Sequence, residues 1–177
     1  MAVQDVVHRK TAFVFDLDGT LVDSVYQHVL AWREAHETEG VELSVWRIHR
    51  KIGMSGGLFT NMLLRETGTH LSPERIERLQ RLHAIAYGRV SRDVRPLPGG
   101  RALLDALTDA DIPWAIATSG RMDSAGPVLE TLGVALDRVP VITRDLVKYA
   151  KPDPDLFLAA AVSLGIPIQS ASVVGVN

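Results

Sequence analysis

The chain has 177 residues, 46% of them hydrophobic and 23% charged, with a formal net charge of −2 and no cysteine. These proportions belong to a folded globular protein, not to a disordered or fibrous one. No basic field invites nucleic acid, no disulfide or thiolate site can form, no apolar stretch approaches the roughly 20 residues of a membrane span, and residues 1–10 lack the apolar core of a secretory signal, so a cytoplasmic protein with small anions as the open ligand class is expected.

The first predicted strand is the apolar run at 11–16, which breaks into Phe15-Asp16-Leu17-Asp18-Gly19-Thr20. Side chains two apart in an extended chain point to one face, so Asp16 and Asp18 address one small volume beyond the strand. One can attack there while the other moves a proton. Residues 21–96 do not fit a simple crossover and read as an inserted helical module, with helical patterns at 24–39, 44–51, 57–67 and 72–92. Asp23 and Ser24 read as the cap of the first of these helices, and Ser72-Pro73-Glu74 as the N-cap, first-turn proline and acidic first turn of the last. Between them, Arg50-Lys51-Ile52-Gly53-Met54-Ser55 places a basic pair before a glycine turn. It is either a solvated helix end or a substrate contact through Lys51. Arg95-Pro96-Leu97-Pro98-Gly99-Gly100 marks the return.

Three further strands are predicted at 112–118, 139–143 and 171–175, alternating with helices at 101–110, 123–132 and 155–164 that stop at Gly133 and Gly165. Blunt apolar strands alternating with helices imply an α/β fold, a Rossmann-like parallel sheet covered on both faces, built from residues 1–20 and 97–177 with 21–96 inserted. Ligands of such sheets sit beyond the carboxyl ends of the strands, where Asp16, Asp18, Thr118 and Ser119 fall. The net charge is +2 over residues 21–96 and −4 over the rest. A basic lid on an acidic core would suit an anionic substrate bound with a cation, and solvated helix faces give the same count. His8, His28, His36, His49, His70 and His83 show no ligand spacing such as HExxH and read as surface or satisfied helix residues.

With Thr118-Ser119-Gly120 and Lys151-Pro152-Asp153-Pro154-Asp155 following Asp16-Leu17-Asp18-Gly19-Thr20 in order, the chain resembles the haloacid dehalogenase superfamily. The similarity is to its phosphoglycolate phosphatase and beta-phosphoglucomutase-like branch, whose helical cap is inserted after the first motif. The resemblance implies Asp16 as a nucleophile forming an aspartyl-phosphate, and Asp18 as the acid that protonates the leaving alcohol and then activates water. Thr118, with backbone N–H groups around Ser119 and Gly120, would hold the phosphoryl group, and Lys151 would offset the repulsion between it and Asp16. Mg²⁺ would share Asp16, the backbone carbonyl of Asp18, a phosphate oxygen and waters.

A fourth motif of the family follows the next strand with acids that help hold Mg²⁺, and here Val176 stands where the first is expected, followed by Asn177. On this reading the core lacks its C-terminal part, Mg²⁺ binding is weakened, and an uncovered sheet edge favours self-association. The leading expectation is a Mg²⁺-dependent phosphatase of a small phosphorylated metabolite. The alternatives are a noncatalytic, truncated phosphate-binding remnant and a sugar phosphomutase. A dehalogenase and a phosphoacceptor receiver module fit less well, the first because Asp18 would have no leaving alcohol to protonate, the second because of the long insertion.

Overall fold

The structure, a computed structural model, describes residues 11–54, 60, 62, 65, 68 and 71–175. Strands β1 (Ala12–Phe15), β4 (Trp114–Ala117), β5 (Val141–Ile142) and β6 (Ala171–Val174) form one parallel sheet in the order β5-β4-β1-β6. Phe13 pairs with Trp114 on one side and Ser172 on the other, so β1 is central and its carboxyl end opens between two neighbours. The alternation of side chains splits the sheet into two apolar layers. Phe15, Trp114 and Ile116 pack against helices α4 (Gly100–Asp109) and α5 (Met122–Leu132), whereas Val14, Ala115 and Ala117 pack against Leu156 and Ala160 of helix α6 (Asp155–Ser163). Each fully buried Leu or Phe in these layers contributes about 1.5–3 kcal/mol. Strand β6 forms an edge and leaves Val173 and Val174 partly exposed.

A short antiparallel ribbon, β2 (Val22–Asp23) with β3 (Arg95–Pro96), pairs Val22 with Pro96 where the inserted residues leave and return. Between them lie α1 (Val25–Thr38), α2 (Val45–His49) and α3 (Pro73–Val90). Their shared apolar cluster includes Val29, Trp32, Ile48 and Leu79 and is distinct from both sheet layers. Glu39, just after α1, is almost enclosed and accepts from Arg75 at 3.0 Å and Arg78 at 2.8 Å, which pins the end of α1 to α3.

The start of α3 follows the sequence pattern: Ser72 accepts from the Arg75 N–H at 3.4 Å, Pro73 fills the first turn, and Glu74 is acidic there. A 3₁₀ turn at Ser91–Asp93 ends it two residues before the predicted limit. The predicted helix at 57–67 lies largely outside the described residues. Among the described residues no helix is long and apolar enough to cross a membrane.

Candidate active site

Strand β1 delivers Asp16 at its end, and the Asp16 N–H still bonds the Val174 carbonyl of β6 at 2.8 Å, so the residue is held as part of the sheet. The chain then folds over itself: the N–H groups of Leu21 and Val22 both reach the Leu17 carbonyl, and Gly19 bonds the Val22 carbonyl. This turn brings Asp18 back under the start of α1. Both carboxylates line one cavity of about 560 Å³, together with Ser119, Gly120 and Lys151.

The two acids occupy opposite settings. Asp16 is 5% exposed. Its Oδ1 accepts from the Leu17 N–H at 2.8 Å and forms an ion pair with the Lys151 ammonium. Burial raises its pKa above the ordinary carboxylate value, the neighbouring Asp18 adds to this, and Lys151 opposes both. Burial also works to raise Asp18, but His28, Ser24 and Lys151 outweigh it and hold the carboxyl down to about 2. Ser24 donates to Asp18 Oδ1 at 2.6 Å, and His28 Nε2 lies 3.2 Å from the same oxygen.

Of the predicted cluster, Asp16, Asp18, Ser119, Gly120 and Lys151 line the cavity, whereas Thr118 is bonded to two of them but is no part of the lining, so its hydroxyl is not presented to a phosphoryl group. Thr118 is fully buried; its hydroxyl donates toward Asp18 Oδ2 at 3.5 Å and accepts from the Gly120 N–H at 2.9 Å. Gly120 therefore spends its N–H on Thr118 and does not present it to an anion. A Cβ at 120 would lie 3.2 Å from Thr118 Oγ1, a tight contact against the hydroxyl that the Gly120 N–H bonds. Ser119 sends its hydroxyl to the Gly53 carbonyl of the inserted segment at 3.1 Å, linking the two halves of the cavity. Lys51 is not among the residues that line the cavity, whereas its neighbours Ile52, Gly53 and Met54 are. Ser55, Val176 and Asn177 lie outside the described residues.

Two sequence readings are corrected. Ser24 occupies the N-cap position of α1 but makes no side-chain cap bond; its hydroxyl serves Asp18. His28 and His83 are not idle helix residues. His28 Nδ1 lies 3.2 Å from His83 Nε2, and His28 stacks on Tyr87 with centroids 3.9 Å apart, so a hydrogen-bonded chain runs from Asp18 through His28 to His83. Burial, reinforced by His28, pushes the His83 pKa well below its ordinary value, with Asp18 opposing. The sequence holds one usable signal for His28: it sits four residues after Ser24, on the same face of α1.

The donor set suits a hard cation. Asp16 lines the cavity and uses only Oδ1 in its bonds to the described residues, which leaves its second carboxylate oxygen uncommitted. No group of three acids or imidazoles gathers to hold a metal among the described residues. Mg²⁺ does not require one, since it keeps several waters and takes one or two carboxylates with substrate phosphate oxygens.

Comparison with known proteins agrees with this geometry. A family model described as haloacid dehalogenase-like hydrolase matches residues 10–175. Hexitol phosphatase A of Escherichia coli strain K12 is 34% identical over 94% of this chain and 74% of its own length. The beta-phosphoglucomutase of Bacillus subtilis strain 168 is 28% identical over 92% of this chain and 74% of its own. Among solved structures, a hydrolase from Pseudomonas syringae superposes with a TM-score of 0.90 at 52% identity, covering 92% of this chain and 74% of that one.

Proposed function

The chain belongs to the haloacid dehalogenase-like hydrolases, as an enzyme of the phosphoric monoester hydrolase type, and from that premise we propose that it hydrolyses a small phosphorylated metabolite of the cytoplasm through an aspartyl-phosphate on Asp16. The observation that carries this reading is the pair of carboxylates on one cavity, one bound to a lysine and the other to a hydroxyl and an imidazole. In the first step an Asp16 carboxylate oxygen attacks phosphorus, the bond from phosphorus to the alcohol oxygen breaks, and that oxygen takes a proton from Asp18. In the second, Asp18 takes a proton from water, the water oxygen attacks phosphorus, and the bond to Asp16 breaks.

The charges around the acids support this division. Lys151 holds positive charge against Asp16, where anion would otherwise approach anion. Asp18, with its pKa at about 2, stands ionised and ready for the second step; a phosphate dianion arriving beside it raises its proton affinity for the first. Mg²⁺ would be held by Asp16 and the backbone carbonyl of Asp18, and what it supplies when bound is further positive charge at the phosphoryl oxygens. Residues 21–96 act as a cap over the core formed by 1–20 and 97–177, closing the site against water. The Ser119 hydroxyl on the Gly53 carbonyl is one of the ties between cap and core.

The test is Mg²⁺-dependent phosphate release from p-nitrophenyl phosphate. Wild type should turn over, Asp16→Asn should fall to the buffer rate, and a rapid acid quench of wild type should trap phosphate on the protein. Hydrolysis by Asp16→Asn at the wild-type rate would overturn the assignment.

A further inference from the structure

The cap side of the cavity carries no group assigned above to attack on phosphorus or to proton transfer with substrate, yet it has a definite chemistry. Beside His28 and Gly53, the cap contributes Trp32, Ile52, Met54, Gln80, His83 and Ala84 to the lining. Gln80, His83 and Ala84 stand three and four residues apart on α3 and so share one face of the helix. Among the described residues this wall contains no lysine or arginine. The described cations of the cavity, Lys151, Arg121 and Arg144, all belong to the core, and each is engaged there. Lys151 is on Asp16, Arg121 lies 2.9 Å from the Asp145 carboxylate, and Arg144 donates to the Val147 carbonyl at 2.8 Å.

What the cap offers is neutral hydrogen bonding. The Gln80 amide has no partner among the described residues, and it carries two donors and an acceptor. The His83 ring is fixed by stacking on Trp32 with centroids 4.1 Å apart and by His28 at its Nε2; its Nδ1 has no partner among the described residues and is a donor or an acceptor according to tautomer. Burial favours the uncharged ring. A carboxylate or second phosphate brought against this wall would lose its water without gaining a counter-charge from any described residue of it, a large cost. Hydroxyl groups would satisfy both the amide and the imidazole, and sites that hydrogen-bond a substrate hydroxyl discriminate strongly against analogues lacking it.

We propose that Gln80 and His83 form a specificity wall for the leaving alcohol, and that the substrate is the monophosphate of a neutral polyhydroxylated carbon chain, a polyol or sugar, as opposed to a bisphosphate or a phosphorylated carboxylic acid. This rests on the phosphatase reading above and adds to it the substrate class. A cavity of about 560 Å³ is of the size of small-molecule sites generally.

Three matched six-carbon probes test it: glucitol 6-phosphate, 6-phosphogluconate and fructose 1,6-bisphosphate, with p-nitrophenyl phosphate as the common reference. Wild type should favour the first over the other two by about tenfold or more in kcat/KM. Gln80→Leu should lower the ratio of glucitol 6-phosphate to p-nitrophenyl phosphate kcat/KM about tenfold, the loss of one well-made hydrogen bond. Gln80→Arg should move preference toward the two more anionic probes. Gln80 is half-buried on a helix surface, so both variants should fold, which circular dichroism checks. The same selectivity is read without turnover by calorimetric binding of the three probes to Asp16→Asn. Parity or reversal among the probes in wild type or in Asp16→Asn, or an unchanged ratio in Gln80→Leu, overturns the proposal. Selective binding with no p-nitrophenyl phosphate hydrolysis would instead sustain the wall and overturn the phosphatase reading.

Discussion

Asp18 is held by three side chains, Ser24, His28 and Thr118, and that arrangement keeps a carboxylate oriented that must both give and take a proton. Asp18→Asn keeps the shape and the hydrogen-bond acceptor but removes the titratable group. Its kcat should fall about 10²- to 10⁴-fold, the usual contribution of a positioned acid–base group, with KM for p-nitrophenyl phosphate within a few-fold of wild type. Steady-state kinetics decide it, and a wild-type kcat would remove Asp18 from the proton-transfer role. The buried histidines give a second prediction at this scale. His36 is fully buried with Nδ1 2.7 Å from the Trp32 carbonyl; burial lowers its pKa although that carbonyl opposes. His83 is lowered further. A histidine kept neutral by the fold takes its proton on unfolding, so its contribution to stability is present above the unfolded value of 6.5 and is lost as pH falls toward the folded one. Each can contribute up to about 1.4 kcal/mol per pH unit in that window. Asp16, with a raised pKa, works in the opposite sense, so urea unfolding is best followed in Asp16→Asn. Its midpoint should be level from pH 8 to about 7, fall from about 6.5 to 5, and fall less steeply in His36→Gln. A midpoint level throughout would contradict the assigned directions.

Helix α4 begins where the chain leaves the β2–β3 ribbon, and the junction is tight. The Leu21 carbonyl accepts from Leu97 at 2.9 Å, and a Cβ on Gly100 would stand 3.0 Å from that same carbonyl oxygen. Since the obstacle is backbone, Gly100→Ala should cost about 1–3 kcal/mol through displacement of the helix or ribbon. Gly88, inside α3 with nothing within 4 Å of its would-be Cβ, sets the contrast. Gly88→Ala should stabilise by about 0.4–1 kcal/mol through the unfolded chain. Urea unfolding of the two variants should move in opposite directions, and a shared direction would refute the steric account. Legibility in the sequence also divides by element. The sheet strands and α4 to α6 were readable because each is an apolar run or period long enough to register and is bounded by Gly, Pro or Asp. The ribbon was not, because Val22-Asp23 and Arg95-Pro96 pair an apolar or cyclic residue with a charged one and belong to no apolar run, whereas the equally short β5 sits in the run Val139-Pro140-Val141-Ile142. At the site, Asp16, Asp18, Thr118 and Lys151 were readable from strand ends and motif order. Ser24 misled, since a serine before a helix looks like a cap until the turn at Gly19 swings Asp18 beneath it. His28 and His83 are 55 residues apart and meet only through the packing of α1 on α3, which local spacing does not encode.

The molecule holds separate apolar clusters that share some helices. Val29, Ile48 and Leu79 form the interior of the cap, while Ala31, Ala86 and Tyr87, on other faces of α1 and α3, join the layer that covers Phe15 and Ile116 of the sheet. The cap therefore has an interior of its own and a second face committed to the core. If the clusters are energetically separate, damage to one should appear first as local opening. Leu79 and Leu156 are both fully buried, the first in the cap interior and the second between α6 and the sheet. Either Leu→Ala change should cost about 2–5 kcal/mol, with the cavity left behind deciding where in that range it falls. In Leu79→Ala, amide exchange in α1 and α3 should accelerate about 30- to 5,000-fold, the same free energy read as an opening equilibrium, with β1 and β4 still protected. Leu156→Ala should accelerate α6, β1 and β4 instead. Hydrogen exchange read by mass spectrometry on the two variants separates the cases, because equal acceleration across cap and sheet in both would mean that cap and core open as one unit. Were that so, the cap could not part from the core without unfolding the sheet, and substrate would have to enter through the mouth of a permanently closed cavity.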